Sequence, residues 1–223
     1  MTKYKTNPES KTTILLAATK YFYDYGLNGT SIDRIANELN ISKGLISYHY
    51  KTKYILAKTV YDIYRSELHN KVTKKYLADF KNNDLQLLTA LVIRMGLRLY
   101  KEDSKACRFY QEIAPMVFYK NPEDNYPLYI PHYQQYNLHI DLQNCEDLLL
   151  QRAASGANLA VRLAYFTGTI NCSYDFFEDY CVRTPFRFMN VPVEKIDQIV
   201  IKSKDIIEQY KIKINPNFSM EIN

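Results

Sequence analysis

Residues 30–53, TSIDRIANELNISKGLISYHYKTK, bring hydroxyl, ammonium and imidazole groups together at the spacing of short helices. Thr30 and Ser31 stand at one expected helix start and Ser42 at the next, where a hydroxyl and free backbone N–H groups hold a phosphate. Lys43 lies one residue further in and reaches a phosphate or a guanine edge, while Gly44 puts no side chain between helix and base. Ser47 and Tyr48 fall one turn beyond, on the same face. Tyr48 suits a thymine methyl or a phosphate, and His49 suits a phosphate at the helix end. From Ser42 to Lys53 there is no acid, as a helix entering the major groove requires. Plainer roles exist for the same residues: N-capping for Thr30, Ser31 and Ser42, core packing for Tyr48, and a tolerated mid-helix glycine for Gly44.

Positioning these groups takes three helices. The first is expected from Pro8 or Glu9 to Tyr25, with Ile14, Leu15, Ala18 and Phe22 on one face and Gly26 ending it. LNGT then leads to Thr30 or Ser31 as N-cap, with Thr30 and Asp33 as a capping-box-like pair. The second helix turns Ile32, Ile35, Ala36 and Leu39 inward. Asn40 takes the left-handed turn position, Ile41 plugs the junction and Ser42 caps the third helix, which buries Leu45 and Ile46 and runs to about His49. Tyr50 alternates away from the reading face, towards the core.

The helix spacing and the ending KG-x-x-x-YHYKTK resemble the TetR family of bacterial transcriptional regulators over about residues 10–56. The resemblance implies an all-α protein, with a three-helix helix-turn-helix domain (1–54) followed by a larger helical ligand-binding and dimerisation domain (55–223). It implies a repressor that responds to a ligand and acts as a homodimer on a palindromic operator in double-stranded DNA. Lys53 matches the family's phosphate-binding lysine, whereas Lys51 reads as solvated. Ser47 stands where the family often carries a bulky polar group, so its base preference does not transfer.

Charge follows the same division. Residues 1–80 hold thirteen Lys/Arg against seven Asp/Glu, and residues 81–223 sixteen against seventeen. A basic first third on a near-neutral remainder places a polyanion at the N-terminal part only. Four cysteines without a CxxC pair indicate neither zinc nor a disulfide framework. With no signal peptide and no long apolar run, the expected setting is cytoplasmic, away from the membrane.

Beyond Lys53 the pattern predicts helices over about 53–80, 85–100, 104–119 (kinked or ended near Pro115), 131–153, 157–181 and 193–211. KNND at 81–84, NPEDNYPLYIP, ASGA and RTPFRFMNVP read as breaks, and the tail after Ile214 as loose. Dimerisation is assigned to the last two long helices, with Leu159, Leu163, Phe166 and Ile170 as one stripe. Among 21 tyrosines and ten phenylalanines, several fall on helices that enclose the family's pocket. An aromatic cavity suits an amphipathic small-molecule effector. Its expected lining is Phe109, Tyr165, Phe166, Tyr174 and Phe177, with Glu112, Asp175 and Glu178 for a cation and Arg94 or Arg98 for an anion.

Other classes fit less well. No Gly-rich phosphate loop, GxSxG or HExxH is present, so no enzyme and no cofactor are expected. His132, His139, Asp141 and Cys145 form the single conceivable metal cluster, at a spacing more often structural. An architectural or division-linked DNA binder without a small-molecule sensor is the alternative that keeps the reading head.

Overall fold

A computed structural model describes residues 8–80, 84–120 and 144–223. Their helices are α1 (Pro8–Tyr25), α2 (Ile32–Glu38), α3 (Lys43–Tyr50), α4 (Lys53–Asp79), α5 (Leu85–Glu102), α6 (Ser104–Lys120), α7 (Cys145–Phe166), α8 (Tyr174–Phe188) and α9 (Val193–Gln209). The expected loop over 121–131, the start of the helix expected at 131, and His132, His139 and Asp141 lie outside the described residues. Among the described residues no helix is long and apolar enough to cross a membrane, and no group of three or more metal-ligating side chains gathers.

The main core runs without a break from the first helices into the body. Ile14, Ala18 and Phe22 of α1 join Ile35, Ile46 and Tyr50, then Leu56, Val60 and Tyr64 of α4, and finally Leu91, Met95, Phe109 and Ile113. A second core, built from Ala90, Val182, Phe186, Ile196 and Val200, fastens α5 to α8 and α9. Helix α4 spans 27 residues, about 40 Å at 1.5 Å per residue, and packs on both α1 and α5.

Three expected breaks fall differently. Helix α6 continues through Pro115 to Lys120, and RTPFRF, expected as a loop, is the last part of α8 with Pro185 inside it. A proline removes one i→i−4 bond, but packing outweighs that loss here, since Ala114, Val117 and Phe186 are all buried. ASGA does not interrupt α7 either. A Cβ on Gly156 would come within 3.2 Å of the Phe118 ring, so the glycine serves a close approach of α7 to α6. The break comes instead at 167–173, where Gly168 takes a left-handed φ of 76°. The helix expected over 157–181 is therefore two helices. Leu159, Leu163 and Phe166 pack against the main core, and Ile170 sits in the turn, largely exposed.

The tail is ordered. Ile212–Asn215 (β1) and Ser219–Ile222 (β2) form an antiparallel hairpin with Ile214 opposite Met220, and β2 lies along α4.

Candidate nucleic-acid interface

Local hydrogen bonding sets the α2–α3 geometry. Ser31 is the N-cap of α2, and its Oγ accepts from the Arg34 N–H at 3.2 Å. The cap therefore lies one residue later than the Thr30–Asp33 pair expected from sequence, and with Arg34, a donor only, three residues on, it is a simple N-cap and not a reciprocal box. Asn40 adopts φ 51°, which lets the Ile41 N–H turn back to the Ala36 carbonyl at 3.0 Å. Ser42 caps α3 by accepting from Leu45 N–H at 3.3 Å. Leu45 and Ile46 are buried, and so is Tyr50, whose hydroxyl donates to the Lys11 carbonyl at 3.0 Å. That anchor fixes which way α3 turns its other face.

The other face is open. Ser42, Lys43, Gly44, Ser47 and Tyr48 are all exposed, Tyr48 by 67%. Among the described residues a Cβ on Gly44 would meet only the Ser42 Oγ, at 3.7 Å. Nothing among the described residues therefore requires glycine there, although glycine in a helix costs up to about 1 kcal/mol. Lys43 pairs with Asp33, both side chains being more than half exposed; such a pair gives way readily to a phosphate. His49 is half-buried, its ring edge-on to Tyr48 with centroids 5.2 Å apart. Among the described residues its buried Nε2 has no hydrogen-bond partner.

Two residues expected to meet phosphate face elsewhere. Thr30 is 2% exposed, and its hydroxyl lies 2.7 Å from the Gly26 carbonyl and 3.0 Å from that of Tyr21. It closes the C-terminal end of α1, because the last carbonyls of a helix lack intrahelical donors. Lys53 is half-buried and donates to the Leu27 and Thr30 carbonyls, each at 3.0 Å. Two of its three ammonium protons thus brace the α1–α2 turn.

The body grips the same turn from the far side. Arg108 of α6 donates to the carbonyls of Tyr23 (3.2 Å) and Asp24 (2.7 Å). One helical turn on, the Glu112 carboxylate accepts from the N–H groups of Leu27 and Asn28. Gly26 allows this: its φ is +73°, and a Cβ there would stand 2.6 Å from Glu112 Oε2. Tyr23 donates to Asp103, the residue before α6, at 2.9 Å. Burial first, and then this carboxylate, push the Tyr23 phenol up to about 12, so it stays protonated as a donor. Sequence reasoning missed this grip and assigned Glu112 to a pocket; the only hint was Arg108 and Glu112 one turn apart. It also passed over Arg34, whose guanidinium stacks 4.2 Å from the Tyr25 ring centroid.

The other residues expected to line a pocket separate into groups. Arg94 is fully buried. It is paired with Glu178 and, at 2.6 Å, with Asp179, and it donates to Ser203 at 2.9 Å and to the Val200 carbonyl at 3.0 Å. Arg98 stands 3.6 Å from the same Glu178, and Tyr174 donates to it at 3.1 Å. Tyr165 stacks on Phe177 with centroids 3.8 Å apart, and Phe166 meets Phe177 edge-on. Phe109 instead packs in the main core against Phe22. Asp175 is exposed and pairs with Lys204 at 3.0 Å. Glu112, Phe109 and Asp175 therefore do not belong with the Arg94–Glu178 cluster.

Residues 14–60 match the family model for bacterial regulatory proteins of the tetR family. The structure of RolR without ligand is similar in fold, at 13% identity and a TM-score of 0.54, over 85% of this chain and 96% of that one. A gamma-butyrolactone receptor described as ArpA-like aligns over 90% of this chain and 98% of its own, at 16% identity and a TM-score of 0.45. A sequence search among curated proteins gave no match.

Proposed function

We propose that this chain, whose residues 14–60 match the tetR family model, represses transcription as a homodimer on a palindromic operator and lets go when a small molecule binds its body. The observation that carries the DNA reading is the open face of α3. It offers Ser42, Lys43, Gly44, Ser47 and Tyr48 to solvent while Leu45, Ile46 and Tyr50 hold the opposite face. Lys43 and Ser47 are assigned to base edges or phosphate, Tyr48 and His49 to phosphate or a thymine methyl, and Ser31 with Ser42 to phosphate at helix starts. The division into a head (1–54) and a body (55–223) is proposed with this reading.

One head buries too little surface for tight specific binding, as modules of this size cover about 600–1,000 Å². Two heads on a two-fold axis would read two half-sites. The proposed dimer surface lies on α8 and α9, where Phe176 (64%), Tyr180 (38%) and Ile201 (61%) are exposed. Ion pairs Arg183–Asp197 and Asp175–Lys204 clamp those two helices together.

For the effector, the proposed contacts narrow to Arg94, Arg98, Tyr165, Phe166, Tyr174, Phe177 and Glu178. A ligand that separates Arg94 from Glu178 would loosen α5 from α8. Reciprocal coupling of about 1–3 kcal/mol would then weaken operator binding roughly 5–150-fold. The alternative, an architectural DNA binder without a sensor, draws on one observation: these buried charges already satisfy each other. Footprinting decides between them. A few palindromes near promoters agree with a regulator, and many dispersed sites with the architectural role.

A further inference from the structure

The tip of the C-terminal hairpin reaches the joint between head and body. The turn Pro216–Ser219 places Asn217 at φ 60° and Phe218 at φ 61°. Asparagine tolerates the left-handed region; an aromatic residue there is strained. Despite that, Phe218 is 3% exposed. Its ring stacks on Tyr64 of α4 at 4.9 Å, meets Tyr23 of α1 edge-on at 5.3 Å and packs on Phe109 of α6 at 5.0 Å. One side chain thus touches the last turn of the head's first helix, the connecting helix and the helix that grips the α1–α2 turn.

The rest of the hairpin holds that ring in place. Lys211 and Asn223 exchange both backbone hydrogen bonds at 2.9 Å and close the open end. Lys71 of α4 donates to the Met220 carbonyl at 2.8 Å, and Met220 is itself buried. On the other side of Tyr23, its hydroxyl is tied to Asp103. The Tyr23 ring is therefore clamped between Phe218 and the start of α6.

We propose that this hairpin is a wedge that sets how the DNA-reading head is seated on the body, with Phe218 as the positioning residue. The proposal rests on the DNA-binding reading above. In a dimer, the angle of α1 on α4 and α6 fixes the separation of the two reading helices, so a wedge at that joint sets which half-site spacing is accepted.

The test uses the full-length chain with Phe218→Ala, Phe218→Leu and Lys71→Ala. Hydrogen exchange is mapped on the free protein, and affinity is measured on palindromic duplexes differing by one base pair between half-sites. For Phe218→Ala we expect exchange at residues 20–30 to rise about tenfold or more while α7 and α8 stay unchanged. Affinity for the preferred duplex falls about 5–50-fold, within the usual range of inter-site coupling, and the preference for one spacing shrinks. Phe218→Leu restores most of both, and Lys71→Ala gives a weaker version of the same pattern. Exchange rising evenly through the chain with spacing preference intact would make Phe218 an ordinary core residue and overturn the wedge. If Phe218→Ala does not fold, Phe218→Leu and Lys71→Ala decide by the same two readouts. Should the unaltered protein bind no duplex, the DNA reading fails, while the exchange map alone still settles the seating of the head.

Discussion

Two lysines a short distance apart in sequence do different work. Lys43 is exposed on α3 and paired with the exposed Asp33, whereas Lys53 braces the carbonyls of Leu27 and Thr30. Lys43→Ala should leave the melting temperature within a degree or so and reduce the salt dependence of DNA binding by about one phosphate contact. Lys53→Ala should lose about 2 kcal/mol from two charge-assisted hydrogen bonds, and with it roughly 4–8 °C of melting temperature. Thermal melts and salt titrations of both variants separate the roles. His69 supplies a pH prediction. Burial in α4 pushes its ring below the ordinary 6.5, so below that pH the unfolded chain binds more protons than the folded one. Stability is then complete above about pH 6.5 and falls as pH drops towards the depressed folded value. The loss in melting temperature between pH 7.5 and 5.5 should shrink in His69→Gln.

At the scale of elements, the buried Arg94 network joins α5 to α8 and α9. Breaking one partner strands a buried charge, so Arg94→Met should destabilise by about 3–5 kcal/mol. Replacing Arg94 and Glu178 together by Met and Leu should recover most of that loss, because an apolar filling often matches a buried pair. Denaturant midpoints test this; a double variant no more stable than the single one would contradict it. The elements legible in the sequence were those governed by local rules. Asn40, Ser42 and the Leu45/Ile46 face followed from turn and capping chemistry, and α1, α4, α5 and α9 from apolar periodicity. What failed depended on packing. Pro115 and Pro185 stay inside helices because their neighbours are buried, and Gly156 serves the approach of Phe118 rather than a break. Thr30 and Ser31 were separable only by which hydroxyl meets the end of α1. The hairpin did leave a local trace, the alternating Ile212, Ile214 and Met220, Ile222 around Pro216–Asn217. It was passed over because the helical pattern had already ended.

At the scale of the molecule, the exposed face of α3 was readable from residue types, but the joint behind it was not. Glu112, Arg108, Asp103 and Phe218 converge on the end of α1 from distances of 80 residues and more, and no local pattern announces such a convergence. In the proposed mechanism, a change at α5 or α6 would reach the reading heads through the α1–α2 turn, where Arg108 and Glu112 hold the end of α1. The proposed dimer surface belongs to this scale too. Phe176→Asp or Ile201→Asp should shift the protein towards monomer in sedimentation equilibrium while leaving its helical circular dichroism intact.

The most direct test is a gel shift of the purified full-length protein on the promoter DNA beside its own gene, at 50 and 200 mM salt. The expected result is a two-headed complex whose affinity drops roughly 10³–10⁵-fold between the two salts if about six to ten phosphates are held, with a footprint over two symmetric half-sites. A protein that ignores duplex DNA even at the lower salt, or binds it as a single head without symmetry, would contradict it.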